Sequence, residues 1–266
     1  MKGPVPAGIL LNFCYFEDCK NYFMYNLLKT VVKNIIPQHI LIKNEDHFRR
    51  LLKPFYQGGN NACNICGTKL KGFVQLQNGQ LICPVCGSLP RARRLYSILQ
   101  EEFLKPEMSF LDFSPSRMLY KKWKSRKDIS YFPTDFENEF LSDYHYNITR
   151  INAEEGKFDL IVCYHILEHI IDDRKAMAEL YRVLKKNGKA LIQTPFKQGE
   201  IYEDYSVTSA EGRLEHFGQD DHVRIYSVSG LERRLEDAGF KVESRIFPED
   251  RFYGLVSDER VLVCTK

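Results

Sequence analysis

Two C-x-x-C-G motifs constrain this chain more than any other feature of its 266 residues. They read Cys63-Asn-Ile-Cys66-Gly67 and Cys83-Pro-Val-Cys86-Gly87, with sixteen residues between the two cysteine pairs. A C-x-x-C pair brings two thiolates within reach of one ion, and the glycine that follows lets the backbone turn back toward the sulfur atoms. Between the pairs, Asn78-Gly79 separates two short apolar runs and is a strong signal for a β-hairpin. The pattern predicts a zinc ribbon over residues 61–90.

The four cysteines of these motifs are the predicted ligands of a tetrahedral Zn²⁺: Cys63, Cys66, Cys83 and Cys86. Four protein ligands leave no open coordination position, so the predicted zinc is structural. A disulfide pair or a redox dithiol remains the alternative, although a redox motif would need only one C-x-x-C. The other four cysteines, Cys14, Cys19, Cys163 and Cys264, are predicted to be free thiols.

Composition and charge exclude several classes of protein. Hydrophobic residues make up 44% and charged residues 27% of the chain, which argues against extensive disorder. Residues 1–130 carry 20 Lys and Arg against 9 Asp and Glu, a balance of +11, whereas residues 131–266 carry 18 against 26, a balance of −8. No apolar run approaches the roughly 18 residues of a membrane-spanning helix, and the first residues lack the pattern of a signal peptide. We therefore expect a cytoplasmic protein with reduced cysteines.

The chain falls into three predicted parts. Residues 1–60 form a helical segment that includes a helix over Asn21–Ile42 and ends in a linker-like Gln57-Gly-Gly-Asn-Asn61. The zinc ribbon occupies 61–90. Residues 91–266 form a third part, which starts with a helical pattern over 91–104 and then alternates strands with amphipathic helices. The predicted strands are Ser109–Phe113, Ile129–Phe132, Phe158–Tyr164, Lys189–Thr194, Lys241–Ile246 and Arg260–Cys264; the predicted helices include Asp172–Leu184 and Leu231–Ala238.

This alternation predicts the α/β class with a doubly wound sheet. Basic residues lie close to its start at Arg91, Arg93 and Arg94, and again at Lys121, Lys122, Lys124, Arg126 and Lys127. We interpret them as a solvated face, with a nucleic-acid footprint as the alternative.

Three consecutive segments resemble class I S-adenosylmethionine-dependent methyltransferases. They are Phe158–His169, Asp172–Gly188 and Lys189–Pro195, which match the fourth strand, the following helix and the fifth strand of that family. The sequence is similar above all to bacterial methyltransferases of the type 11 kind with an N-terminal zinc ribbon and a Cys-Gly-Ser-x-x-Arg helix, here Cys86–Arg91. The resemblance covers residues 89–266 and implies a Rossmann-like, seven-stranded sheet for the third part.

The resemblance also implies where S-adenosylmethionine would bind. The first strand-to-helix turn contains Asp112, Phe113, Ser114 and Pro115; Asp135, with Phe136 beside it, matches the acidic residue that accepts hydrogen bonds from the ribose hydroxyls. Adenine would lie against Asn147 and Ile148, and the methionine side against Cys163 and His165. Two positions depart from the family pattern: the glycine-rich loop after the first strand is replaced by Leu111-Asp-Phe-Ser-Pro-Ser-Arg117, and Asn147 stands where Asp is common.

Histidines supply the predicted chemistry, and four of the seven are predicted to cluster: His165, His169, His216 and His222. Transfer of a methyl group to oxygen or nitrogen can require removal of a proton from the acceptor, and either His165 or His222 is the predicted general base. The segment that contains His222, Gln198–Arg224, is predicted to be an active-site lid. His165-x-x-Glu168-His169 also resembles the E-x-x-E-H metal motif of some O-methyltransferases. Together with His222, these residues would hold a divalent cation. The same Leu-Glu-His sequence is common in methyltransferases without a metal, and in that case Glu168 and His169 would only brace the loop.

The sequence thus predicts a methyltransferase that acts on an oxygen of a small-molecule or sugar-like acceptor. Two alternatives remain: an RNA methyltransferase that holds RNA with its ribbon and basic half, and a non-catalytic binding module with a methyltransferase-like fold. No motif identifies the acceptor or the oligomeric state.

Overall fold

The computed structural model describes Glu45 and residues 48–266, and the chain divides into two compact units after Pro90. We call them the ribbon unit and the sheet unit. The predicted helix at Asn21–Ile42 and the thiols Cys14 and Cys19 lie outside the described residues.

The ribbon unit consists of short strands around the two cysteine motifs. Residues 48–51 are helical, and a short helix α1 (Lys53–Tyr56) leads into β1 (Gln57–Ala62), β2 (Lys69–Leu70), β3 (Val74–Gln75) and β4 (Leu81–Ile82). β1 and β2 pair antiparallel across the first motif, and β3 and β4 form the predicted hairpin. Gly79 turns that hairpin with φ +80°, a backbone conformation that favours glycine.

The interpretation of Gln57–Asn61 as a linker is wrong. These residues form most of β1, and Ala62 pairs with Lys69 of β2. A Cβ atom at Gly58 would lie 2.6 Å from Lys71 Cγ and 2.7 Å from Lys71 N, so this glycine permits the close approach of two backbone segments. Gly58 therefore marks tight packing within the ribbon unit and not a flexible link.

The sheet unit alternates strands and helices as predicted. Its elements are α2 (Pro90–Ile98) with a π-helical turn (Leu99–Phe103), β5 (Ser109–Phe113), α3 (Arg117–Lys124), β6 (Ser130–Thr134), β7 (Phe158–Tyr164), a 3₁₀ turn (Leu167–His169), α4 (Asp173–Val183), β8 (Leu184–Gln193), β9 (Phe196–Lys197), β10 (Tyr202–Glu203), α5 (Ala210–Phe217), β11 (Arg224–Ser227), α6 (Val228–Asp237), β12 (Lys241–Phe247) and β13 (Glu259–Thr265).

The main sheet has the strand order β12-β13-β8-β7-β5-β6. The pairs β6–β5, β5–β7 and β7–β8 are parallel, whereas β13 runs antiparallel to both β8 and β12. The carboxyl ends of the parallel strands therefore share one edge, and a ligand of an open α/β sheet binds beyond that edge. A smaller sheet has the order β10-β11-β9: β10 lies within the predicted lid, β9 directly precedes the lid, and β11 begins at its last residue.

Over the described residues the main sheet has six strands, as many as the sequence pattern predicted, whereas the family resemblance implied seven. The segment between β6 and β7 adds isolated bridges but no strand; one bridge joins Thr134 and Tyr144. Its side chains Phe136, Phe140 and Leu141 are exposed, so the segment lacks the buried apolar run that a strand beside β6 would need.

Local sequence signals define the helix ends. Asp172 caps α4 by accepting a hydrogen bond from Lys175 N at 3.1 Å, and its position agrees with the predicted start. α6 begins at Val228, earlier than the predicted start at Leu231, because the side chain of Ser227 caps the helix by accepting a hydrogen bond from Gly230 N. Gly239 follows the end of this helix with φ +106°, a backbone conformation that favours glycine.

The sheet is covered on both faces. On one face, the side chains of Leu111 and Phe113 join a core that includes Met177 and Leu180 of α4 and Leu231 of α6. On the other face, Phe110 of β5 packs against Trp123 of α3 with ring centroids 6.3 Å apart, and Trp123 stacks on Tyr96 of α2. This two-faced packing is that of a doubly wound fold, as predicted.

Arg93 and Arg94 are structural, and the expectation of a solvated or nucleic-acid-binding face is wrong for both. Arg93 is fully buried and donates to the carbonyl oxygens of Tyr253 at 2.8 Å and Gly254 at 2.7 Å. Arg94, also buried, donates to Val256 O at 3.0 Å. Both arginines thus stabilise the loop that joins β12 and β13.

In the part of the chain that the structure describes, no helix is both long and apolar enough to cross a bilayer. Cys163 and Cys264 are buried free thiols, as predicted.

Candidate active site and cysteine cluster

The four cysteines of the ribbon unit converge on one point. Cys63 Sγ lies 3.6 Å from Cys86 Sγ, and Cys66 Sγ lies 3.9 Å from Cys83 Sγ. A tetrahedral ion with Zn–S bonds of about 2.3 Å has sulfur atoms about 3.8 Å apart, so these distances fit a single bound ion. Disulfide bonds, at about 2.05 Å, do not fit.

The two cysteine motifs have the same backbone geometry. Gly67 N donates to Cys63 O and Gly87 N to Cys83 O, each at 2.8 Å. Both glycines have positive φ, +70° and +79°, which agrees with the turn toward sulfur that the sequence indicated. The cluster is thereby built from two equivalent turns.

The candidate active site lies at the carboxyl edge of the main sheet and begins at the turn after β5. Ser114 has φ +46°, a left-handed conformation that glycine adopts more easily, and its N–H donates to Thr134 O at 2.7 Å. Its hydroxyl donates to Asp135 Oδ1 at 2.7 Å. Serine therefore forms the tight turn in the absence of the family's glycines, and it connects the ends of β5 and β6.

Asp135 is buried at the end of β6, where it organises the loop that follows. Its Oδ2 accepts from Glu139 N at 2.7 Å and from Phe140 N at 3.2 Å. The neighbouring Phe136 is exposed. The carboxylate is held in place by three donors.

Asp112 is nearly inaccessible at the end of β5. Burial raises the pKa of its carboxyl group to about 7, although a hydrogen bond from Tyr131 OH at 2.9 Å acts in the opposite direction. A carboxyl group with such a pKa is partly protonated near neutral pH.

The other predicted cofactor residues occupy different environments. Asn147 Oδ1 accepts from Thr149 N at 2.9 Å and Thr149 Oγ1 at 2.8 Å, so its amide oxygen stabilises a local turn. The side chains of Phe113, Ile148 and Cys163 belong to the hydrophobic core. Burial raises the pKa of Cys163 well above its ordinary value.

His165 follows β7 directly and has an unusual backbone. Its φ is +55°, and its N–H donates to Gln193 O, at the end of β8, at 2.8 Å. Residues with such backbone conformations concentrate at functional sites. His165 Nδ1 lies 3.3 Å from Glu168 Oε1, and its Nε2 is buried with no hydrogen-bond partner among the described residues.

Glu168 belongs to the 3₁₀ turn after His165 and is only 1% exposed. Burial acts to raise its pKa, but the neighbouring His165 and His169 outweigh burial and hold the pKa below its ordinary value. The buried carboxyl group is therefore charged near neutral pH.

His222 comes next to this turn from the loop after α5. Gly218 ends α5 with φ +84°, and the loop then places His222 with its ring centroid 4.7 Å from that of His169. His222 is 4% exposed; burial, and then the nearby His169, lower its pKa. Asp221 Oδ2, beside it, lies 3.0 Å from His169 Nδ1.

The predicted histidine cluster is therefore only partly correct. Glu168, His169 and His222 come together, with ligand atoms within 4.8 Å of one another, and His165 lies beside them. His216 does not join this group; it is exposed on α5 and its Nδ1 lies 2.6 Å from Tyr202 OH. A cavity of about 180 Å³ borders the cluster and is lined by residues that include Glu168, His222, Pro195 and Phe217.

A family model described as a methyltransferase domain matches residues 88–245, more than half of the chain. The chain belongs to this methyltransferase family. Its sheet, with β13 antiparallel among parallel strands, has the Rossmann-like architecture of class I S-adenosylmethionine-dependent enzymes, as the sequence predicted.

Individual relatives match this chain only in part. It is 30% identical to an uncharacterised protein of Methanocaldococcus jannaschii over 84 residues, which are 30% of this chain and 37% of that protein. It is 29% identical to a probable S-adenosylmethionine-dependent methyltransferase of Mycolicibacterium smegmatis over 105 residues, 38% of this chain and 36% of that protein. The chain thus spans little more than a third of the length of these curated relatives.

Among solved structures, a methyltransferase from Archaeoglobus fulgidus that depends on S-adenosylmethionine aligns with a TM-score of 0.49 at 14% identity. The alignment covers 66% of this chain and 93% of that chain.

Buried polar groups at the carboxyl edge of the main sheet fit a polar ligand such as S-adenosylmethionine. Ser116 Oγ and His165 Nε2 are buried without hydrogen-bond partners in the described part of the chain. Asp135 offers carboxylate lone pairs beside Ser114, at the end of the strand next to β5. Unsatisfied buried groups are costly unless a ligand or water binds them, so the chemistry of the edge fits a polar ligand.

Arg224 is a positioning residue that the sequence analysis missed. It is fully buried at the start of β11 and donates to Leu167 O at 3.1 Å, Ile171 O at 2.9 Å and Ile170 O. It therefore holds the carbonyl groups of the 3₁₀ turn that presents Glu168 and His169. Its signal in the sequence is weak, because a single arginine at the end of a polar segment is usually a surface residue.

Proposed function

We propose that this chain transfers the methyl group of S-adenosylmethionine to an oxygen of a small-molecule acceptor. The observation that carries the proposal is His165, which stands at the carboxyl end of β7 with a left-handed backbone and an unpartnered, buried Nε2. Family membership supports the cofactor, and the candidate base supports an acceptor group that must lose a proton, such as a hydroxyl group.

The residues of the first two strand ends would hold the cofactor. Asp135 would accept hydrogen bonds from the ribose hydroxyls, as carboxylates do in this family, and the Ser114 turn would bring the backbone close to the cofactor. Ser116 Oγ is a further donor available at the same turn. When bound, S-adenosylmethionine supplies an electrophilic methyl group on a sulfonium.

His165 and Glu168 form a pair suited to general base catalysis. Glu168 Oε1, 3.3 Å from Nδ1, favours the tautomer with the proton on Nδ1 and leaves Nε2 free to accept a proton from an acceptor hydroxyl. This is the orienting role that a carboxylate plays beside a catalytic histidine in other enzymes. His222 would then be a neighbour of the reacting groups, although it remains the alternative base.

Calorimetry and turnover test the proposal separately. The full chain should bind S-adenosylhomocysteine, and Asp135→Asn should weaken binding at least about tenfold. His165→Ala should leave binding intact but abolish release of S-adenosylhomocysteine when hydroxylated acceptors are added, whereas His216→Ala, a matched change at an exposed histidine, should retain turnover. Absence of cofactor binding would support the alternative of a non-catalytic module. Full turnover by His165→Ala would refute the assigned base.

An RNA acceptor is the weaker alternative, because Arg93 and Arg94 are buried and unavailable to phosphate groups. If RNA were bound, its affinity would fall steeply with salt concentration as counterions are released.

We also propose that the four clustered cysteines hold a structural Zn²⁺, which their sulfur distances support. Elemental analysis should find one zinc per chain, and Cys63→Ser should reduce it. A cytoplasmic location belongs to the proposal as well and is supported by the free thiols of Cys163 and Cys264.

A further inference from the structure

Beside the proposed base, three side chains from two segments converge as a ligand set. Glu168 and His169 lie on the 3₁₀ turn after β7, and His222 comes from the loop before β11; their ligand atoms all lie within 4.8 Å of one another. Atoms bound to one ion at about 2.1 Å lie about 3–4 Å apart. Movements of less than about 1 Å would therefore close these atoms around an ion.

The carboxylate of Glu168 is the second, independent indication of a ligand. It is 1% exposed, and its Oε2 has no hydrogen-bond partner within the described residues. His165 Nδ1 lies 3.3 Å from the other carboxylate oxygen, Oε1, so it does not serve as a donor to Oε2. A buried carboxylate in this state is costly unless a cation or further donors bind it.

Each of the two histidines has a further contact that can orient its ring. Asp221 Oδ2 lies 3.0 Å from His169 Nδ1, which leaves His169 Nε2 available as a ligand. His222 forms a hydrogen bond with the backbone of Phe217. Carboxylate and carbonyl groups that orient imidazole ligands in this way are typical of metal centres.

We propose that Glu168, His169 and His222 form a binding site for a divalent transition-metal ion, with Asp221 and the Phe217 backbone orienting its two imidazoles. Two histidines and one carboxylate suit Mn²⁺, Fe²⁺, Co²⁺ or Zn²⁺ better than Mg²⁺ or Ca²⁺. The set is smaller than the one that the sequence predicted, because it omits His165, which remains free to act as the base.

Three protein ligands leave coordination positions open, and Glu168 and His222 both line the cavity of about 180 Å³. This inference rests on the proposed function, and it restricts the methyl acceptor to molecules whose hydroxyl group coordinates the ion. Coordination would lower the pKa of that hydroxyl group and help His165 to remove its proton.

Electron paramagnetic resonance with Mn²⁺ tests the site on the full chain with its ribbon intact. Mn²⁺ prefers oxygen and nitrogen ligands and should not displace an ion from four thiolates. The spectrum of free Mn²⁺ should decrease with a stoichiometry of one ion per chain. Glu168→Gln and His222→Ala should each weaken Mn²⁺ binding at least about tenfold, and Asp221→Asn, a change at an exposed side chain, by about tenfold. His216→Ala should bind Mn²⁺ as the unchanged protein does.

Two results would overturn the inference: no Mn²⁺ binding by the unchanged protein, or equal affinity in the unchanged protein and in both Asp221→Asn and Glu168→Gln. Asp221→Asn keeps the test decisive even if substitution of a buried ligand prevents folding. Calorimetry with S-adenosylhomocysteine on the same samples separates the two proposals. Cofactor binding without Mn²⁺ binding refutes the metal site alone, and Mn²⁺ binding without cofactor binding refutes the methyltransferase proposal alone.

Discussion

The carboxyl group of Asp112 should make the sheet unit less stable as pH rises toward neutrality. Burial at the end of β5 raises its pKa to about 7, from 3.8 in an exposed aspartate. Between these two values the folded protein holds a proton that the unfolded chain has released. The contribution of Asp112 to stability is therefore complete below about pH 4 and is lost as pH rises through 7.

The size of this effect follows from the separation of the two pKa values. Each pH unit between them costs about 1.4 kcal/mol of unfolding free energy, so the whole interval is worth about 4 kcal/mol. Part of that loss already occurs below pH 5. The part that falls between pH 5 and pH 8 is about 2.5 kcal/mol.

Asp112→Asn removes the titration, keeps the side-chain shape and can still accept the hydrogen bond from Tyr131. The chain's single tryptophan, Trp123, is buried in the sheet unit beside Phe110, so its fluorescence reports the unfolding of this unit in urea. The free energy of unfolding of Asp112→Asn, relative to the unchanged protein, should rise by about 2.5 kcal/mol from pH 5 to pH 8. Asp258→Asn makes the same chemical change at an exposed position and is the matched control. An equal difference at pH 5 and pH 8 for Asp112→Asn would refute the reasoning, whatever the variant's absolute stability.

Two further predictions concern residues with structural roles. Arg93→Ala should lower the unfolding free energy of the sheet unit by about 3 kcal/mol, because it leaves buried carbonyl groups without donors. The control Arg233→Ala, at an exposed position on α6, should change that free energy by less than about 0.5 kcal/mol. Urea titration followed by tryptophan fluorescence measures both variants, and equal effects would contradict the structural role of Arg93. In the ribbon unit, Gly58→Ala should speed zinc release to a colorimetric chelator, because the new Cβ would overlap Lys71. The control Gly59→Ala adds a Cβ with no atom within 4 Å, so the release rate should stay unchanged.

The sequence predicted those features that depend on neighbours in the chain. β5 and β7 have the predicted bounds, because each is a short apolar run that is buried on both faces of the sheet. The ribbon hairpin turns at Asn78-Gly79, where positive φ is required, and α4 begins after Asp172, which caps it. Such signals are local, and they do not depend on what packs against the element.

The incorrect predictions involved residues whose roles depend on distant partners. Gly58 in a glycine-rich run resembles a linker until Lys71 of the ribbon is known to pack against it. Arg93 and Arg94 occupy a helical pattern that fits a solvated face, yet their partners are carbonyl groups of a loop roughly 160 residues later in the chain. Composition near a residue cannot reveal partners that only the folded chain brings close.

The candidate site combines both cases. His165, Glu168 and His169 were recognisable because the chemistry follows one strand within five positions, and the left-handed backbone at His165 places Nδ1 beside Glu168. Their division of roles was not recognisable, since it depends on a second segment. Arg224 fixes the 3₁₀ turn through its carbonyl groups, and the loop that ends in Arg224 also carries His222. One short segment therefore fixes the position of the turn and contributes the third metal-binding side chain, so the ligand set and the turn should form together when the loop packs.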